Sequence, residues 1–201
     1  MNEYFRDFFS YFGRNFMRVS IAMLGALLLT SCASNNSNGP YNISSEGADT
    51  RLMLNGFDPV AYHVGGKHIR GVATIKAEHD GVIYRFENEA NKATFLKQPN
   101  LFVPQYGGFC ANGIAYGIPW GGDGDTWKII DGKLFIFGGQ QSQNYFQMDE
   151  ATNIKLADQY WQAEVKGSTA VVQRYKRLAL RVPHYKTGSE LEQQWQQRKK
   201  P

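Results

Sequence analysis

The chain predicts an α+β fold: a compact single domain of antiparallel β-hairpins and short helices, extended by a helical C-terminal segment. Two patterns carry this expectation. Residues 72–78 and 82–86 flank the turn His79-Asp80-Gly81, and residues 126–130 and 133–137 flank Asp131-Gly132; both read as β-hairpins. Around them lie short stretches of helical spacing broken by Pro and Gly, with no internal repeat, which argues against a parallel sheet.

Residues 1–31 read as a signal peptide. Arg14 and Arg18 precede an apolar core over residues 19–29, and Leu29-Thr30-Ser31-Cys32 has the form of a bacterial lipoprotein cleavage site. The core is shorter than the roughly 20 apolar residues that cross a bilayer. Glu3, Asp7 and many aromatics make residues 1–16 an odd leader, so Met17 is the expected translation start. The alternative is an uncleaved amphipathic anchor with Phe5, Phe8, Phe9, Phe12 and Phe16 on one face. Acyl chains on Cys32 then hold the protein at a membrane, each buried methylene contributing about 0.8 kcal/mol. Ala33 points to the outer membrane, facing the periplasm, if the bacterium has two membranes. Residues 32–50, the lipidated Cys followed by a Ser-, Asn- and Gly-rich run, are expected to form a flexible tether; the sequon Asn42-Ile43-Ser44 carries no weight there.

Residues 51–165 form the expected domain. Asp58-Pro59-Val60-Ala61-Tyr62-His63 has a Pro-started extended character, and Val82, Tyr84 and Phe86 share one strand face. Asn88 is an N-cap for a helix running to Gln98, with Ala90, Thr94 and Phe95 inward and Pro99 as its stop. Pro104 and Gly107-Gly108 force a loop before a short helix over 109–116 that ends at Gly117. Gly138-Gly139 ends the second hairpin, and helices follow over 140–145 and 153–164. In the tail, residues 166–201, Val171, Val172, Tyr175, Leu178, Ala179 and Val182 share helical spacing up to Pro183. Ser189-Glu190-Leu191-Glu192 has the form of a capping box, with Leu191 and Trp195 one turn apart. These apolar positions imply docking on the domain or on a partner.

Charge divides the chain. Residues 166–201 carry nine Lys or Arg against Glu190 and Glu192, a net of +7, whereas the whole chain is +4, leaving −3 for the rest. Such a tail suits an anionic lipid surface, another polyanion or a protein partner, or is simply a solvated helix face. Nothing points to nucleic acid.

Several segments together resemble the YHS-domain family of small exported bacterial proteins. They are Asn55-Gly56-Phe57-Asp58-Pro59-Val60-Ala61-Tyr62, Gly81-Val82-Ile83-Tyr84-Arg85-Phe86, and Pro104-Gln105-Tyr106-Gly107-Gly108-Phe109-Cys110-Ala111 with Pro99 before it. Asp125-Thr126-Trp127-Lys128-Ile129-Ile130-Asp131-Gly132-Lys133-Leu134 and Asn153-Ile154-Lys155-Leu156-Ala157-Asp158 continue the series, which covers residues 50–162. The resemblance implies a compact α+β domain that binds a heavy metal. The eponymous Tyr-His-Ser falls at Tyr62-His63-Val64, where Val64 replaces Ser; Phe137-Gly138-Gly139 and the basic tail also depart from the pattern.

With Cys32 acylated, Cys110 has no partner for a disulfide in an exported protein, and an unpaired thiol there needs a reason. It follows Gly107-Gly108 at an expected helix N-terminus, where N–H groups favour a thiolate and the glycines allow close approach of backbone or ion. Thiolate plus imidazole suits Cu(I) or Zn(II). His63, in the other segment of the resemblance, is the first choice of second ligand, followed by Asp58, His68 and Met53. Two cysteines exclude a closed Cys₄ site, so the metal is expected to be exchangeable or shared with another subunit. The plain alternatives are a packed Cys110, a strand His63 donating to a carbonyl, Tyr106 and Trp127 as core, and Gly121-Gly122-Asp123-Gly124-Asp125 as a turn without an EF-hand's ligands. Three functions follow: an envelope lipoprotein binding copper or zinc, a scaffold or interaction protein of the envelope, or a thiol protein with Cys110 as nucleophile and His63 as base but no orienting group.

Overall fold

Residues 40–199 are described by a computed structural model. The signal peptide, the Met17 start and the acylation site Cys32 lie outside the described residues. Each hairpin turns where the sequence puts its Asp-Gly pair. In the first, β3 (Val72–His79) and β4 (Val82–Phe86) are joined by Asp80 and Gly81 at φ 51° and 70°. In the second, β5 (Asp123–Ile130) and β6 (Lys133–Phe137) are joined by Asp131 and Gly132 at φ 50° and 73°. Two consecutive left-handed residues match the twist of the flanking strands, and Asp and Gly tolerate them best.

The first hairpin belongs to a four-stranded sheet of order β1-β2-β4-β3. β1 (Ile43–Glu46) and β2 (Asp49–Met53) pair antiparallel, and β2 pairs parallel with β4. β1 therefore occupies part of the stretch read as tether. Its composition is polar, but its order comes from partners far along the chain: Asn42 Nδ2 donates to Gly108 O and Gly122 O at 3.1 and 2.9 Å, and Ile43 packs on the core.

The segment at Asp58-Pro59 is helical, not extended: α1 spans Pro59–Val64. Asp58 accepts from the N–H groups of Val60 and Ala61, and Pro59 supplies a preset first helical position. α2 (Glu89–Lys97) starts at Asn88, whose Oδ1 accepts from Asn91 N at 2.9 Å. Pro99 does more than end it, because it opens α3 (Pro99–Phe102). Of the three side chains expected inward on α2, only Phe95 is buried; Ala90 and Thr94 are exposed. One ring holds the helix down, with centroids 4.9 Å from Tyr84 and 5.2 Å from Phe86.

The rest is α4 (Ala111–Ile114), α5 (Gln140–Gln147) and α6 (Glu150–Tyr160), the last running on into a π-helical turn at Trp161–Val165. α7 (Ala170–Ala179) and α8 (Gly188–Lys199) form the tail. The capping box of α8 is built on Thr187, two residues before the expected place: Thr187 N donates to Glu190 Oε2, and Glu190 N donates back to Thr187 Oγ1.

β6 is the partition of the core. Leu134 and Ile136 belong to a cluster with Met53, Val60, Tyr84 and Phe95, whereas Phe135 and Phe137 belong to one with Phe109, Ile114 and Phe146. A strand buried on both faces reads as a continuous apolar run, which Leu134-Phe135-Ile136-Phe137 is. A third cluster, with Tyr116, Ile118, Tyr145, Val182 and Leu191, fastens the tail to the domain. The described residues 40–199 thus form one compact unit, and among them no helix is long and apolar enough to cross a membrane.

Candidate functional site

Cys110 is placed by its backbone. Cys110 N donates to Trp120 O at 2.9 Å, and Cys110 forms a single parallel bridge to Ile136 of the partition strand. The loop before it runs left-handed at Tyr106, Gly107 and Gly108. The glycines are needed for packing against protein: a Cβ on Gly107 would stand 2.5 Å from Pro40 O, and one on Gly108 2.9 Å from Met53 Sδ. α4 is a single turn, and the Cys110 side chain makes no capping bond to it, so the expected helix-terminal support for a thiolate is not built.

The thiol has a different neighbour. Cys110 Sγ lies 3.0 Å from Ser142 Oγ on α5, and the residue is only 2 % exposed. The pair forms the floor of a cleft of about 310 Å³. Asn112, Tyr116 and Trp120 line it, with Gln141 and Tyr145 of α5, and the tail borders it with Tyr185, Lys186 and Leu191. Glu192 ties the tail to α5 by accepting from Tyr145 Oη at 2.7 Å and from Gln141 Nε2 at 2.8 Å. Hydrogen bonds from Gln196, Tyr145 and Gln141 hold the Glu192 carboxyl down to about 2, while burial and the bond to Glu192 push Tyr145 up to about 12.

The other expected ligands are occupied elsewhere. Asp58 is fully buried and its carboxylate accepts four hydrogen bonds: Oδ1 from Val60 N and Ala61 N, Oδ2 from Glu87 N and Asn91 Nδ2 at 2.8 and 2.7 Å. That is full use of its lone pairs, and it makes Asp58 the clasp between α1, β4 and α2. His63 is half-buried and stands edge-on to Phe102, a member of the first core cluster, at 5.2 Å. Its Nε2 is buried without a hydrogen-bond partner, and burial holds its pKa below 6.5, which keeps the ring neutral. His68 is exposed and accepts from Trp127 Nε1 at 3.4 Å, and Met53 is 1 % exposed in the core.

No hydrogen bond or ring contact joins His63, Asp58 and Cys110, and among the described residues no three His, Cys, Asp or Glu form a group able to hold a metal ion. A Cys110–His63 nucleophile and base are likewise not brought together, and Ser142 is no base for a thiol. The Asp123–Asp125 segment, expected as a turn, opens β5 and is tied down where Tyr62 Oη donates to Gly124 O at 2.6 Å.

Ser142 and the cleft escaped the sequence reading. No local signal announced them, because the thiol meets α5 through a contact 32 residues along the chain. Fold and cleft together define an α+β domain with a thiol-lined cleft bordered by its own tail. No known family, no curated protein and no solved structure matches the chain.

Proposed function

We propose that this is a cell-envelope lipoprotein, anchored through Cys32, whose YHS-like domain acts by binding a small ligand in the cleft beside the tail rather than by catalysis. The observation that carries the reading is the cleft itself. Its volume of about 310 Å³ is in the range of small-molecule pockets, and its lining combines aromatic side chains with a few polar groups. Tyr116, Trp120 and Tyr145 offer flat apolar contact, while Ser142, Asn112 and Gln141 offer hydrogen bonds. A compact ligand with an aromatic or aliphatic body and one or two amide or hydroxyl groups suits this lining. The unpaired thiol then has a plain role as a small, soft floor atom sheltered from oxidants.

The test is a screen of small aromatic amides by ligand-observed NMR on the chain from Asn38 to Pro201. Binders are expected to slow modification of Cys110 by a methanethiosulfonate reagent and to be lost in Ser142→Trp, which fills the floor. The reading fails if no binder protects Cys110. A titration with Cu(I) and Zn(II) runs beside it: one equivalent bound, and lost in both Cys110→Ser and His63→Ala, would restore the metal-binding alternative.

A further inference from the structure

α7 is turned inside out. Gln173 and Arg177 face the domain, where Gln173 Nε2 donates to Glu164 O at 2.7 Å and Arg177 pairs with the Glu164 carboxylate. Val171, Val172, Tyr175 and Leu178 instead stand 59, 57, 70 and 76 % exposed. At about 100° per residue these four fill an arc of about 120°, with Arg174 at one edge and Lys176 at the other. Hydrocarbon gathered on one face in water marks a contact surface. We infer that this face of α7 lies on an anionic lipid surface.

The charges choose lipid over protein. Basic residues at both edges of an apolar arc are the arrangement of helices that lie in a bilayer interface, where long cationic stems bury hydrocarbon and keep their charge at the headgroups. Beside the arc is a hollow of about 270 Å³ lined by Arg174, Arg177 and Arg181 together with Trp120 and Tyr185. Arg177 is held by Glu164 and Arg174 donates to Pro119 O, so Arg181, lying over the Tyr185 ring at 4.5 Å, is the guanidinium placed to meet a phosphate headgroup, and Trp and Tyr favour the membrane–water boundary. A second copy of the chain fits poorly, since it would set one +7 tail against another. A ten-residue helix, about 15 Å long, is also too small to supply the roughly 1,200 Å² of a stable dimer.

The test needs no acyl chain and is therefore independent of Cys32 and of the cleft. The chain from Asn38 to Pro201, which contains all three core clusters, is sedimented with phosphatidylcholine vesicles made with or without phosphatidylglycerol. Binding is expected only with phosphatidylglycerol and is expected to weaken as salt is raised. The double substitution Tyr175→Glu/Leu178→Glu is expected to weaken it at least about tenfold, with the melting temperature unchanged because both side chains are already in water. Arg174→Gln/Arg181→Gln is expected to flatten the salt dependence. Absence of binding, equal binding to both vesicle types, or full binding by the double Glu variant would each overturn the inference. So would lipid-free self-association abolished by Leu178→Glu, which would make the face a protein interface.

Discussion

Asp58 carries more of this fold than its place among ligand candidates suggested. Its two oxygens satisfy donors on three separate elements, so replacing it strands a helix cap, the N–H of Glu87 and the amide of Asn91 together. Asp58→Ala is expected to lower unfolding stability by about 2–4 kcal/mol in urea titrations, the sum of a lost cap and buried donors left unpaired. An unchanged midpoint would show that the carboxylate is not structural. The Asp-Pro pair was legible as an N-cap followed by a first-turn proline. It read as extended because a six-residue helix is too short to display a helical period. Ser142 was illegible for another reason: its partner is 32 residues away, and nothing local in a Gln-Ser-Gln stretch announces a thiol.

At the scale of elements, what sequence shows best is what local chemistry decides. Both hairpins and the Asn88 cap lie where turn and cap residues put them, and two helices occupy the tail, the second capped by Thr187 rather than Ser189. β1 and the orientation of α7 were hidden, because distant groups decide them. β1 is held by a charge cluster: Arg85 on β4 reaches Glu46 through Nη1 at 2.6 Å and Asp49 through Nη2 at 2.7 Å, and Lys76 meets Asp49 at 2.5 Å. Arg85 and Asp49 are both buried, so truncating the arginine leaves a carboxylate in the protein with only a half-exposed lysine beside it. Arg85→Ala is expected to cost about 3 kcal/mol. It should also raise hydrogen exchange selectively in β1 and β2; uniform exchange, or no loss of stability, would refute the clasp. α7 could not be oriented from its spacing, since helical period identifies an apolar face without saying whether the domain or something else receives it.

The molecule as a whole has a one-sided response to acid and another to base. Burial keeps His63 below its ordinary 6.5, so the unfolded chain takes up a proton that the folded chain refuses, and stability falls as pH drops through 6.5. Hydrogen bonds from Lys76 and Arg85 to Asp49, and from Arg85 to Glu46, hold those carboxyls below their ordinary 3.8 and 4.5. The Gln196, Tyr145 and Gln141 bonds do the same for Glu192, so its contribution is complete above 4.5 and is lost on the way down to about 2. On the alkaline side, burial raises Tyr62, Tyr84 and Tyr106 above 10, so the unfolded chain ionises first and stability falls above that pH. Melting temperature against pH should therefore show a plateau from about 7 to 9 with a decline on each side. A first acid step that persists in His63→Phe would remove His63 from the account.

The cleft over Cys110 is bordered by the tail from Tyr185 to Leu191, fastened through Leu191 and Glu192. With Cys110 only 2 % exposed, its sulfur meets a bulky reagent when the groups around it move, so the rate of thiol capture measures how often this part of the chain breathes. Nature has in effect left a built-in clock at the bottom of the pocket: a single sulfhydryl whose slow chemistry times the opening of everything above it.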